Sequence, residues 1–179
     1  MPVLLPADTR IRVVLSRYLG WLYSPGTPIG PSYVEAPVSP GCAWVRKPDQ
    51  PRQTVCSTFT GGVIGAAYDV HDAAYWLDMS IGDGARPFSS IEAVERVGVG
   101  QRVQAPVANR WHVSQGWTAL VGGRVVKGAH GHAWLWYGDE QGLMTHASSS
   151  AGRVISEERA WSAQAKRYDE VRIALLSEA

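Results

Sequence analysis

Residues 132–137 read His-Ala-Trp-Leu-Trp-Tyr, a strand-length run that is apolar on both faces. Successive strand residues point to opposite sides of a sheet, so a run without polar alternation leaves no side for water. It is therefore expected as a central strand. Further strand-like runs occupy residues 111–120, 124–126, 143–147 and 171–176. Val121-Gly122-Gly123 and the stretch 138–142 (Gly-Asp-Glu-Gln-Gly) read as turns between them.

Before Gly100 the periodicity is helical. Ile11, Val14, Leu15, Tyr18 and Leu19 recur at helical spacing within residues 6–21, where Ala7-Asp8-Thr9 offers caps. A second helix is expected over residues 56–68, with Phe59, Val63, Ala66 and Ala67 as its apolar stripe. Gly61, Gly62 and Gly65 each weaken that helix by about 1 kcal/mol relative to Ala, so it must be held by close packing and is expected to be central. Shorter helices are expected at 71–79, 89–96 and, among the strands, 156–165. Helices followed by an antiparallel sheet define an α+β chain, read as one domain over residues 1–179. Residues 24–52, rich in Pro and Gly, read as a long surface excursion of the kind that often carries function.

Composition narrows the function. With 17 basic and 16 acidic residues the net charge is +1, which gives no electrostatic footprint for nucleic acid or for an anionic membrane. No run of about 18 apolar residues exists to span a bilayer. The opening Met1-Pro-Val-Leu-Leu-Pro is too short and Pro-broken for a signal-peptide core, so synthesis in the cytoplasm is expected. A target outside the cell would then be reached by lysis, a phage particle or a secretion apparatus. The eight Trp residues are expected mostly in the core. Two cysteines, Cys42 and Cys56, form neither a disulfide framework nor a metal knuckle, and read as thiols in different environments.

Cysteine is a nucleophile as thiolate, and its pKa, about 8.5 when free, falls at a helix N-terminus and beside an imidazole. Cys56 stands at the first turn of the proposed central helix, where unpaired N–H groups and the positive end of the helix dipole lie. Those N–H groups, with Ser57 next in line, could also stabilise an oxyanion. His132 opens the apolar strand and His146 lies on the next one. If Asp139, Glu140 and Gln141 form a three-residue loop, paired positions sum to 280, His146 lies opposite Trp134 and His132 one diagonal step away on the same face. A two-residue loop would put the histidines on opposite faces. The three positions supply a nucleophile, Cys56, a base, His132, and an orienting group, His146.

Three segments, in order, resemble the NlpC-type cell-wall peptidases. Tyr18-Leu19-Gly20-Trp21-Leu22-Tyr23-Ser24-Pro25-Gly26 is similar to that family's Leu-Gly-x-x-Tyr-x-x-Gly segment, and Cys56-Ser57-Thr58-Phe59 to its Asp-Cys-Ser-Gly-Phe motif. Residues 131–138 with 145–150 are similar to the two strands that bear the base and the third polar residue. The resemblance implies a papain-like fold, with the nucleophile at the start of a central helix packed on a C-terminal antiparallel sheet. It implies hydrolysis of amide bonds in peptidoglycan stem peptides without a metal; a monomer is expected, with no other cofactor and with neither nucleic acid nor membrane as partner. It carries the nucleophile to Cys56, the base to His132, the orienting group to His146 and an assisting tyrosine to Tyr23. Val55 and Thr58 replace the family's Asp and Gly around the nucleophile, and no clear Gly-Asp-Leu strand precedes the base.

Other readings stay open at this level. His130 and His132 with His146 or His112 could ligate zinc, since alternate strand residues share a face. His71 could be an acid–base group or a solvated helix start, and Asn109 and His112 could border a cleft. The same fold and thiolate could serve an acyltransferase or deamidase, and a merely buried Cys56 would leave a binding or structural module.

Overall fold

In the computed structural model, which describes residues 6–23, 53–81, 88–103, 118–125, 131–138 and 140–177, helices dominate the first half and strands the second. The helices are α1 (Pro6–Leu15), α2 (Cys56–Tyr68), α3 (Ala73–Ile81) and α4 (Ser89–Arg96). Two short strands, β1 (Leu22–Tyr23) and β2 (Gln53–Thr54), lie among them. Then come β3 (Gly100–Val103), β4 (Thr118–Arg124), β5 (Gly131–Tyr137), β6 (Gln141–Ser148), β7 (Arg153–Ala160), helix α5 (Trp161–Ala165) and β8 (Glu170–Leu176). The strands form one eight-stranded sheet in the order β2-β1-β7-β6-β5-β4-β8-β3. Every pairing is antiparallel except the one between β1 and β2. The class is α+β.

β5 takes the central place expected of it, between β6 and β4, with Ala133 to Tyr137 buried. One sheet face, carrying Leu120, Leu135, Ala147 and Ala174, packs with Ile11, Phe59, Val63, Ile64 and Ile91 of the helices. The other, carrying Val121, Trp134, Trp136, Met144 and Ile173, is closed by Trp161 of α5. Trp21, Trp76, Trp134, Trp136 and Trp161 are all buried, as expected of most of the indoles.

The glycines of α2 are explained by what lies against them. A Cβ at Gly61 would stand 2.5 Å from Met79 Cγ, and one at Gly65 would stand 2.3 Å from the Trp76 ring. The helix gives up intrinsic propensity so that α3 can press directly on its backbone. Tyr75, also on α3, donates a hydrogen bond from its hydroxyl to the Gly61 carbonyl at 2.8 Å.

The structure corrects several sequence expectations. α1 ends at Leu15 and residues 16–20 continue as turns, with Gly20 at a φ of 84° and Leu19 exposed rather than on the buried stripe. Residues 121–123 lie inside β4 and form no turn. Gly123 is there for close approach: a Cβ on it would fall 2.5 Å from the Tyr168 ring, which lies over the strand. The helix expected over 156–165 is β7 for its first part and only then α5. Helix-forming Glu157, Glu158 and Arg159 are overridden there by eight paired positions along β6. β3, unexpected from the sequence, pairs with the β8 edge. The 24–52 excursion, Cys42 and the strand positions 111–117 and 126 lie outside the described residues.

Replacing Gly65 by Ala tests the packing account. Propensity alone would stabilise α2 by about 1 kcal/mol. The Trp76 contact reverses the sign, and a net loss of about 1–3 kcal/mol is expected in urea unfolding.

Candidate active site

Thr58 sets the start of α2. Its hydroxyl accepts the Val55 N–H at 3.1 Å and lies 3.0 Å from the Thr54 hydroxyl, tying the helix start to β2. One half of a capping box is thus made by Thr58. The tie fixes where Cys56, the first residue of α2, emerges. Cys56 is half-buried.

Antiparallel pairing brings the start of β5, the end of β6 and the end of β4 to one end of the sheet. A pocket of about 280 Å³ opens there. Cys56, Tyr23, His132, His146, Arg167 and Tyr168 line it, together with the Ser148–Ser150 turn and Gln164. Ser57 is buried, its hydroxyl has no hydrogen-bond partner among the described residues, and it is not among the residues lining the pocket.

The β5–β6 register is the one a three-residue loop predicts, with Leu135 opposite Thr145 and Tyr137 opposite Leu143. His146 therefore falls beside Trp134, one diagonal step from His132. The two rings meet edge to face, and His132 Nε2 lies 2.8 Å from His146 Nδ1. His146 Nε2 in turn lies 3.1 Å from Glu157 Oε1. On its other side His132 stacks on Trp134, with centroids 5.8 Å apart, and Trp134 stacks on Tyr168 at 5.4 Å. The His132 ring is thus held between a hydrogen bond and an aromatic stack.

Burial shapes the protonation states. It pushes the His132 pKa down from 6.5 to about 3, helped by charge on His146, Arg167 and Arg159. His146 is also lowered by burial, opposed by Glu157. Both imidazoles are accordingly neutral near pH 7. Tyr168 is pushed up to about 12, chiefly by burial. Tyr23 is raised by burial and by the negative charge of an ionised Cys56. Both phenols keep their protons, and their hydroxyls can donate in the pocket.

Glu157, Arg159, Gln164, Arg167 and Tyr168 were not singled out from the sequence. Glu157 and Arg159 sit in the stretch read as helix, and their signal was alternation: Ile155, Glu157 and Arg159 share one face of β7. Tyr168 becomes apparent only through its packing on Gly123 and Trp134. His71 is exposed, 2.8 Å from Asp69, and lines a separate groove with Asp72 and Arg96. His112, His130 and Asn109 lie outside the described residues. The zinc reading is left with His132 and His146, whose facing nitrogens bond to each other. Among the described residues no three His, Cys, Asp or Glu side chains converge as a metal-ligating group. Nor, among them, is any helix long and apolar enough to cross a membrane.

In overall fold the chain is similar to crystal structures of an N-acetylmuramoyl-L-alanine amidase from Bacteroides uniformis. Two of them give TM-scores of 0.54 and 0.55 at 12% identity, over 96% of this chain and 99% of that one. A third, of such an amidase from the same organism, gives a TM-score of 0.50 over 93% of this chain and 99% of that one. At that identity the likeness is one of fold. No protein-family model and no curated relative matches the sequence.

The depressed His132 pKa has a stability consequence. Below pH 6.5 the unfolded chain takes up a proton that the folded His132 refuses until about pH 3. The unfolded state then binds more protons, so folding stability is full above 6.5 and is lost as the pH falls toward 3. Urea midpoints measured from pH 7 to 4 should fall more steeply for the wild type than for His132→Phe, which has no proton to take up.

Proposed function

We propose that this protein is a papain-like cysteine hydrolase of the NlpC kind that cleaves amide bonds in peptidoglycan stem peptides. The observation that carries the reading is that Cys56, at the start of α2, and the bonded His132–His146 pair line one pocket. The fold shared with an N-acetylmuramoyl-L-alanine amidase supports the substrate class.

In this reading the Cys56 sulfur attacks the carbonyl carbon of the scissile amide. His132, neutral by burial, takes the thiol proton as the carbon–sulfur bond forms. The N–H groups of the first turn of α2 have no carbonyl partner within the helix and stabilise the oxyanion, with the Tyr23 hydroxyl as a further donor. Ser57 contributes through its backbone, since its side chain is buried away from the pocket. Collapse of the intermediate expels the amine, which receives its proton from His132, and leaves a thioester on Cys56. Water, deprotonated by His132, then hydrolyses the thioester and regenerates the thiol. His146 orients the base throughout.

Of the described residues lining the pocket, Arg167 is the one with a permanent charge. Stem peptides carry free carboxylates, and Arg167 is assigned to hold one of them beside the scissile amide.

Digestion of purified sacculi, with mass spectrometry of the released muropeptides, tests these roles. Cys56→Ala should release nothing while keeping the wild-type circular dichroism spectrum; release equal to wild type would end the enzyme reading. His132→Ala should lose about 10²–10⁴-fold in kcat, and His146→Ala less, because proton transfer contributes more than orientation. For Arg167→Ala the expected change is a raised KM with kcat nearly kept, as for lost uniform binding; an unchanged KM would remove the carboxylate contact.

A further inference from the structure

The hydrogen-bond chain that starts at His132 continues past His146 into β7. Glu157 Oε1 receives His146 Nε2 at 3.1 Å and the Arg159 guanidinium at 2.7 Å. A second nitrogen of Arg159 donates to Gln164 Oε1 at 2.7 Å, and Gln164 is fully buried. The carboxylate is therefore held in place by an arginine that is itself anchored to the core on α5. Glu157 and Arg159 are two apart on one strand, so they share a sheet face; Met144 pairs with Glu157, which puts His146 one diagonal step away on that face.

We infer that Glu157 is a positioning residue that sets the tautomers of both imidazoles. A carboxylate in an ion pair with arginine accepts and does not donate. The nitrogen facing it, His146 Nε2, must carry the hydrogen. In a neutral ring His146 Nδ1 is then bare, and can only accept. His132 Nε2, 2.8 Å away, must therefore donate to it. That leaves His132 Nδ1 as the ring's one acceptor, the state a general base needs. Burial, which lowers the pKa of both rings, keeps the chain neutral and hence in a single proton arrangement. A group that lines no part of the pocket thus decides which nitrogen of the base is ready to take a proton. The order is carboxylate, imidazole, imidazole, with Arg159 as the clamp on the first and Cys56 lining the same pocket as the last.

The catalytic consequence rests on the amidase reading above, whereas the tautomers are measurable without it. ¹⁵N NMR of histidine-labelled protein at neutral pH distinguishes a protonated from a bare ring nitrogen. In the wild type both His132 and His146 should be Nε2–H tautomers. Glu157→Gln keeps an acceptor oxygen for His146 and Arg159, and should keep both tautomers and most of kcat on sacculi. Glu157→Leu removes the acceptor: an Nδ1–H population should appear on both rings and kcat should fall by about tenfold to a hundredfold, the size of loss seen when a metal-ligating histidine is deprived of its outer hydrogen-bond partner. KM should stay the same. A wild type with Nδ1–H on either ring would overturn the inference, as would unchanged tautomers in Glu157→Leu or a Glu157→Gln variant as impaired as Glu157→Leu. Tautomers that follow the expected pattern in a protein that cleaves no cell-wall amide would uphold the chain of hydrogen bonds and remove the amidase reading instead.

Discussion

The register of the β5–β6 hairpin is the constraint on which the candidate site depends. Pairing fixes which side chains share a face, and a slip by one residue would send His132 and His146 to opposite sides of the sheet. With Leu135 set opposite Thr145, the histidines meet at 2.8 Å instead. The same register passes on to β7 through eight further paired positions, and so delivers Glu157 to the far nitrogen of His146. A strongly buried β5, with Trp134 and Trp136 under one face and Leu135 under the other, makes any such slip costly. Core packing and site geometry are in this sense one constraint.

Close approach is the second theme. Gly61 and Gly65 let α3 lie directly on α2, and Gly123 lets the Tyr168 ring lie over β4. The first pair fixes the helix that begins with Cys56. The third admits a phenol that stacks on Trp134, which in turn stacks on His132. In each case the missing side chain belongs to the account of the site as much as to that of the core, because the groups around the pocket are held from behind by these contacts.

Electrostatics act in the same direction. The imidazoles are kept neutral by burial, while Arg159 and Arg167 stand close enough to weigh against their protonation. Glu157 opposes this at His146 and is in turn engaged by Arg159. The positive charge on Arg167 at the pocket wall suits an anionic ligand group.

Elements with strong local patterns could be read from the order of residues alone. The helices at 56–68 and 89–96 and the central strand were legible because glycine-interrupted, amphipathic and doubly apolar runs each have one economical solution. The meeting of His132 and His146 was legible only as one of two hairpin registers, and the pairing of β5 with β6 decides between them. β7 was not. Its Glu and Arg residues favour a helix in isolation, and only pairing along β6 turns them into a strand. The role of Gly123 was hidden for a similar reason: a glycine pair reads as a turn until a ring from residue 168 is found resting on it. Local propensity is written in neighbouring residues, whereas Glu157, Arg159, Gln164 and Tyr168 join the site through contacts between positions distant along the chain, which only tertiary packing can decide.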